Sequence, residues 1–233
     1  MAEKVLAAHQ PNFLPWGGYF IKMLYSDVFV ILDDVQLSRP SYTTRTQINR
    51  QGQGKWLSVS IANKGHMDKK ISDIELSDSF DAEVLIRKIE QTYKSCPFFE
   101  EVHDGLTKIF RESHKTLLGL NMALLEWARD WLHIKTPLVF SSSCDVPAGR
   151  TDRLVELCVS QDATVYLSGA GGKNYNEQEM FQERGIDVCY TKVPFFDLEY
   201  LSQTFVAGCS IVDLLFHTGH DSQKILMSGV VDE

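Results

Sequence analysis

The chain has 233 residues, of which 44% are hydrophobic, so it can bury one sizeable core, or one core with a subordinate helical lobe. Its formal net charge of -8 and its lack of a long Lys or Arg run exclude general binding to nucleic acid, although a local basic site for a small anion remains open. Widely separated cysteines, no signal-peptide pattern and no long apolar segment predict a soluble cytoplasmic protein without membrane insertion.

The first third of the chain is predicted to contain strands around one helix. Residues 5–8 and 28–32 are short apolar runs of the kind found in buried strands, and residues 19–25 between them can form a helix. Residues 56–61 alternate between apolar and polar side chains as a half-buried strand does, and residues 71–76 are expected to pair beside them.

The middle of the chain, at about residues 81–133, is predicted to be helical. Apolar side chains recur there at helical spacing, which indicates two or three packed helices, with Pro97 between the first and the next. We expect this segment to form a helical subdomain.

The last part of the chain alternates between strands and helices, as a βαβ arrangement does. The predicted elements are strands at residues 137–140, 163–167 and 187–190 and helices around residues 154–158 and 177–181. Strands therefore come from both ends of the chain. The sequence predicts one α/β domain over residues 1–233, with a mainly parallel or mixed sheet, flanking helices and a helical insertion in the middle.

A polar segment directly follows the first predicted strand. His9, Gln10 and Asn12 lie there, and the carboxyl ends of buried strands are where open α/β folds place ligand-binding groups. Trp16 and Tyr19 could form the wall of a pocket. A rigid loop whose histidine hydrogen-bonds to the backbone explains the same residues equally well.

Two carboxylates, Asp33 and Asp34, end the second predicted strand. Such a pair can share one proton as acid and base, or bind a divalent ion carried by a phosphate. Gln36, Arg45 and Asn49 follow in a polar stretch, where the guanidinium suits a phosphate or carboxylate and the amides suit hydroxyls. A solvated loop with a cap or turn is the more common explanation of such a stretch.

Hydroxyls and a guanidinium follow the third predicted strand. Ser142 and Ser143 come first, and Arg153 then lies at the start of a helix. Together with the N–H groups of a helix N-terminus, these side chains would suit an anion. Helix caps and surface ion pairs are the alternative explanation.

A glycine-rich turn follows the next strand. Ser168, Gly169 and Gly171 lie between that strand and a helix, where backbone N–H groups can hold a phosphate. The segment matches neither a Walker A loop nor a GxGxxG pattern, so a tight turn without a ligand is equally open. Asn174 and Glu177 have the spacing of a capping box at the start of the helix. Since the histidines and cysteines lack metal-ligand spacing, we predict no metal site, and no cofactor is identified.

Four segments, in this order, resemble the WbqC-like protein family. They are His-Gln-Pro with Leu-Pro-Trp and Gly-Tyr-Phe within residues 9–20, Asp-Asp-Val-Gln at 33–36, Tyr-Leu-Ser-Gly at 166–169 and Ser-Ile-Val-Asp-Leu-Leu-Phe at 210–216. The resemblance covers nearly the whole chain. It implies work in bacterial surface polysaccharide (O-antigen type) biosynthesis, on a nucleotide-linked sugar or an activated acyl or aminoacyl group. Where family members tend to have Lys-Thr, this chain has Arg150-Thr151, which keeps the charge but changes its geometry.

The main hypothesis from sequence is a transferase that binds an anionic small molecule. His9 would be a general base or a phosphate contact, Asp33 or Asp34 an acid, base or metal-phosphate contact, and Arg45 and Arg153 would hold the anion. The alternative is a non-catalytic binding or scaffold protein of the same pathway. A hydrolase with a serine or cysteine nucleophile after the third strand is a third hypothesis, and a homo-oligomer is compatible with each of them.

Overall fold

Parallel strands form the central sheet of the computed structural model, which describes residues 3–37, 41–62, 69–169, 171–172, 177–191, 208–227 and 231–232. The described strands are β1 (Val5–His9), β2 (Val28–Ile31), β3 (Arg45–Arg50), β4 (Gln53–Ser58), β5 (Leu138–Phe140), β6 (Val165–Gly169), β7 (Asp187–Thr191) and β8 (Val231–Asp232). The main sheet has the order β5-β2-β1-β6-β7-β8, parallel except for the antiparallel edge strand β8, while β3 and β4 form a separate hairpin.

Helices cover both faces of this sheet. The described α-helices are α1 (Gly17–Leu24), α2 (Ala82–Tyr93), α3 (Phe99–Arg111), α4 (Leu117–Trp131), α5 (Thr151–Ser160), α6 (Gln178–Gln182), α7 (Ile211–Thr218) and α8 (Ser222–Met227). The predicted α/β class is therefore confirmed, and so is the helical middle of the chain. Within the described helices, none has the length and apolar character that crossing a membrane requires.

The core consists of two buried apolar clusters on opposite faces of the sheet. Successive strand residues point to opposite faces, so Ala7 of β1 belongs to one cluster and Leu6 and Ala8 to the other. The first cluster continues into α1, α7 and the three middle helices. The second is covered by α5 and α6. The middle helices thus share their apolar core with one face of the sheet.

The strand order reverses at β1, which creates a switch point between β1 and β6. From β1 the chain proceeds outward to β2 and β5, and then crosses back to place β6 on the other side of β1. The described pairing of β1 with β6 ends at Ala7 and Leu167, whereas its pairing with β2 continues to His9 and Ile31. Open α/β sheets bind ligands beyond the carboxyl ends of the strands at such a point.

Two strand predictions in the first third were wrong in detail. The second strand of the hairpin begins at Gln53, before residue 56, because it pairs with β3 across a turn in which Gln51 and Gly52 have φ angles of 53° and 77°. Ile71–Asp73 is a short 3-10 helix, and only an isolated bridge joins Leu76 to residue 61. Backbone groups of residues 71–76 bond to different partners, so no continuous ladder forms.

The predicted capping box at the helix after β6 lies partly outside the described residues. Asn174 is not among them, and Glu177 is the N-cap residue of α6 without a side-chain cap hydrogen bond.

Candidate functional site

A cavity of about 800 Å³ opens at the switch point between β1 and β6. Its described lining comes from the carboxyl ends of these strands, from Thr191 at the end of β7, from α1 and from the start of α5. Of the residues predicted from sequence, those that line the cavity are His9, Gln10, Trp16, Arg153, Ser168, Gly169 and Gly171. The structure therefore brings three of the predicted segments to one place.

The charged side chains in the described part of this lining are all cations. They are Lys22, Arg150 and Arg153, and no Asp or Glu is among the described lining residues. The N-terminal turn of α5, which begins at Thr151, adds backbone N–H groups and the positive end of a helix dipole. The described lining of this cavity is thus basic, in a chain whose formal net charge is -8.

His9 is held as a neutral imidazole. Its ring packs against both Trp16 and Tyr19, with centroid distances of 5.5 and 4.9 Å, and these two rings also contact each other at 6.2 Å. Burial and the nearby charge of Lys22 lower the pKa of His9 from 6.5 to about 3, against a smaller opposing effect of the Gln10 backbone. Nδ1 lies 3.2 Å from the Gln10 carbonyl oxygen, which can only accept a hydrogen bond. Nδ1 therefore carries the ring proton and donates a hydrogen bond to this oxygen. Nε2 is then left as a hydrogen-bond acceptor.

Lys22 lies in the same cavity although sequence analysis did not select it. It is only 4% exposed, and its Nζ donates to the carbonyl of Ala8 at 2.8 Å. That carbonyl lies just beyond the last described pair of β1 with β6. Burial lowers the pKa of Lys22 from 10.5 to about 7. The signal available in the sequence was a single charge within the apolar helix α1.

Arg153 lines the cavity and also forms a buried ion pair. Its Nη2 donates to Oδ1 of Asp34, which accepts a second hydrogen bond from Ser141. Burial raises the pKa of Asp34, but the hydrogen bonds from Ser141 and Arg153 and the charge of Arg153 outweigh it, so the pKa lies below its usual value. Asp34 is thus connected to the cavity by its ion pair with the lining residue Arg153, and its carboxylate remains ionised at neutral pH.

Asp33 is fully engaged with the segment that follows β5. Its carboxylate accepts hydrogen bonds from the backbone N–H and the hydroxyl of Ser142, at 3.0 and 2.6 Å, and shares the one hydroxyl proton of Ser141, whose oxygen lies 3.1 Å away, with Asp34. Ser143 donates instead to the Phe140 carbonyl. These contacts connect the ends of β2 and β5. Asp33, Ser142 and Ser143 are absent from the described cavity lining. No group of three or more metal-binding side chains occurs among the described residues.

Asn12 and Tyr19 support the loop after β1 from within the core. Asn12 is 3% exposed and accepts a hydrogen bond from the hydroxyl of Thr43 at 3.4 Å. The hydroxyl of Tyr19 donates to the Gln10 carbonyl at 3.1 Å. Both residues therefore act on the described cavity through the loop that carries His9 and Gln10.

The remaining predicted residues lie outside the described lining. Arg45 and Asn49 belong to β3, where the Arg45 guanidinium carbon lies 4.1 Å from the ring centroid of Trp56 and Asn49 accepts from the backbone N–H of Gly52. Gln36 is exposed, and its backbone forms an isolated antiparallel β-bridge with the backbone of Lys70. The polar stretch that suggested a ligand site is thus mostly a β-hairpin.

Gly169 ends β6, and Gly171 follows it two residues later. A Cβ atom built on either glycine would meet no described neighbour within 4 Å. Close packing against the described part of the protein therefore does not require glycine at these positions. Other lining residues that sequence analysis did not select include Tyr166 and Thr191, whose positions depend on how β6 and β7 align.

Comparison with known proteins agrees with the motifs. The WbqC-like protein family matches residues 10–225. The chain is also 32% identical over 225 residues to the uncharacterized protein Rv1507c of Mycobacterium tuberculosis, an alignment that covers 96% of this chain and 97% of the relative. No solved structure matches the chain. On the family match and this relative, the chain belongs to the WbqC-like protein family.

Proposed function

We propose that the protein is a transferase of bacterial surface polysaccharide (O-antigen type) biosynthesis that binds a nucleotide-linked sugar or an activated acyl or aminoacyl donor in the switch-point cavity. The observation that carries this proposal is the charge of the cavity. Arg150 and Arg153 line it as permanent cations, with Lys22 beside them and no described carboxylate, at the strand ends where open α/β folds bind anionic ligands. The pathway is what the family resemblance implies.

The geometry suggests how such a donor would lie. Its phosphate groups would face the first turn of α5, where Arg153 and the backbone N–H groups can donate hydrogen bonds. The neutral Nε2 of His9 would accept a hydrogen bond from a hydroxyl or N–H group of the ligand. The ring of Trp16, which lines the same cavity, offers an apolar wall for a base or sugar.

The alternative, a non-catalytic scaffold protein, has one observation in its favour. Tyr42 and Trp56 form an exposed aromatic pair, 44% and 39% exposed, with ring centroids 5.8 Å apart. Exposed aromatic patches commonly mark interaction surfaces. A scaffold that acts only through this surface would not need an anionic small molecule in the cavity.

A thermal-shift panel separates these two proposals. UDP, CDP, ADP, UDP-glucose and inorganic pyrophosphate would be added separately to the protein. At a concentration about 100 times the dissociation constant, a bound compound stabilises the folded state by about 2.7 kcal/mol, so we expect at least one compound to raise the melting temperature by roughly 5–10 °C. The Arg45→Met variant is the matched control, because it removes a cation outside the described lining and should keep the shift. Absence of a shift with every compound would contradict the proposal.

A further inference from the structure

Two described lining residues can offer a nitrogen lone pair to a proton. They are His9 and Lys22, since the guanidinium groups of Arg150 and Arg153 stay protonated in proteins. A transferase that activates a hydroxyl or amine acceptor needs such a group. The choice between the two therefore decides which residue starts the reaction.

The hydrogen bonding shown for Lys22 does not require an ammonium. A neutral amine has two N–H donors and one lone pair, whereas an ammonium has three donors to satisfy. The one hydrogen bond shown for Nζ goes to the carbonyl of Ala8, and none of the ion pairs among the described residues involves Lys22. With one N–H bonded to Ala8, the amine keeps capacity for a further partner, and Lys22 is one of the residues that line the cavity.

Burial is what lowers the pKa of Lys22, and its described neighbours add no negative charge. The ring of Phe29 of β2, with its centroid 5.8 Å from Nζ, favours the ammonium weakly but cannot neutralise it. The other described titratable or charged groups of the cavity lining are His9 of β1, Tyr166 of β6, and Arg150 and Arg153 beside and within α5. None of these is a carboxylate, so no described lining residue neutralises an ammonium at Lys22.

We infer that Lys22, rather than His9, is the general base of the proposed transfer. This inference rests on the proposed function. The lone pair of Nζ takes the proton from the acceptor's hydroxyl or amine, and the freed electron pair of that oxygen or nitrogen forms the new bond to the electrophilic carbon of the donor. The bond from that carbon to the leaving oxygen breaks, and its electron pair stays on the oxygen, beside Arg153 and the first turn of α5. The ammonium then returns its proton to the leaving group or to water.

Proton affinities support this assignment. A base works best when its pKa lies near the working pH. Burial lowers the pKa of Lys22 to about 7. Burial, with a smaller contribution from Lys22 while it is protonated, lowers the pKa of His9 to about 3, which makes its imidazole a poor proton acceptor at neutral pH. His9 is then left to orient the ligand by hydrogen bonding.

The proposal can be tested with Lys22→Arg, Lys22→Met and the matched control Lys88→Arg, whose side chain is exposed on α2. NMR of protein labelled with carbon-13 at the lysine ε-methylene reports the charge of each amine without any substrate. We expect one resonance to titrate near neutral pH in the wild type and in Lys88→Arg, and to be absent from both Lys22 variants.

Activity and binding are measured on the same variants. We expect Lys22→Arg to keep the thermal shift given by UDP or pyrophosphate, since it keeps the cation, but to lower polysaccharide formation at least about 100-fold in cells that depend on this protein. Lys88→Arg should support normal formation. Wild-type output from Lys22→Arg, or a Lys22 that stays charged to about pH 9, would overturn the inference. If no panel compound binds the wild type, the proposed function fails, whereas the NMR titration still decides the charge of Lys22.

Discussion

Replacing Arg153 with methionine is expected to lower the free energy of unfolding by about 3 kcal/mol and to weaken UDP binding by about 30-fold or more. The stability loss follows because the side chains of Arg153 and Asp34 are only 8% and 16% exposed, so the variant leaves a largely buried carboxylate without its cation. The binding loss follows because Arg153 lines the cavity beside the first turn of α5. Urea denaturation followed by circular dichroism measures the first effect, and UDP titration measures the second.

Asp34→Asn separates the structural role of Arg153 from its role in binding. In the double variant Arg153→Met/Asp34→Asn, the buried charge is gone, and we expect it to regain much of the lost stability. UDP binding should remain weak, because the guanidinium is still absent. A double variant that recovers both stability and binding would show that Arg153 serves the cavity only as a structural ion-pair partner.

Lys22→Met is expected to abolish a rise in stability with pH that the wild type shows between about pH 6.5 and about pH 9. The pKa of Lys22 is about 7 in the folded protein and near its ordinary value of 10.5 in the unfolded chain. Between these values the unfolded chain binds the proton and the folded protein does not, so stability increases as the pH rises. At 1.36 kcal/mol per pKa unit, the increase over this range is about 2 kcal/mol.

The measurement is urea denaturation at the two pH values for wild type, Lys22→Met and Lys88→Met. Lys88 is exposed on α2, so its replacement should leave the pH dependence as in the wild type. Wild type and Lys22→Met share all other titrating groups, so the difference between these two proteins reports the removal of Lys22. If the free energy of unfolding changes equally with pH in these two proteins, the folded state keeps Lys22 charged throughout this pH range.

Much of the fold could be predicted because its signals are local. The apolar runs at residues 5–8 and 28–32 became β1 and β2, and the helical spacing around residues 81–133 became α2, α3 and α4. The order of the strands could not be predicted, since it depends on the crossing that places β6 beside β1. Strand β3 was missed because its buried residues, Thr46 and Ile48, alternate with polar ones that suggested a loop.

The candidate site was predictable only in part, because some of its contacts depend on how distant segments of the chain pack together. The expectation that strand ends carry ligand groups located His9 and Ser168 at the cavity, since the carboxyl ends of parallel strands meet at one edge of a sheet. The same expectation placed Asp33 there too, but three hydrogen bonds from the segment after β5 engage its carboxylate. Lys22 was missed because its importance comes from where α1 packs against the gap between β1 and β6, which no local pattern reveals.

The central claim is that the switch-point cavity binds the anionic part of the substrate. A crystal structure of the protein with the panel compound that raises the melting temperature most tests it directly. We expect the phosphate groups to lie between the first turn of α5 and Arg153, with His9 within hydrogen-bonding distance of the ligand. A compound bound on the exposed pair of Tyr42 and Trp56, with the cavity empty, would contradict it.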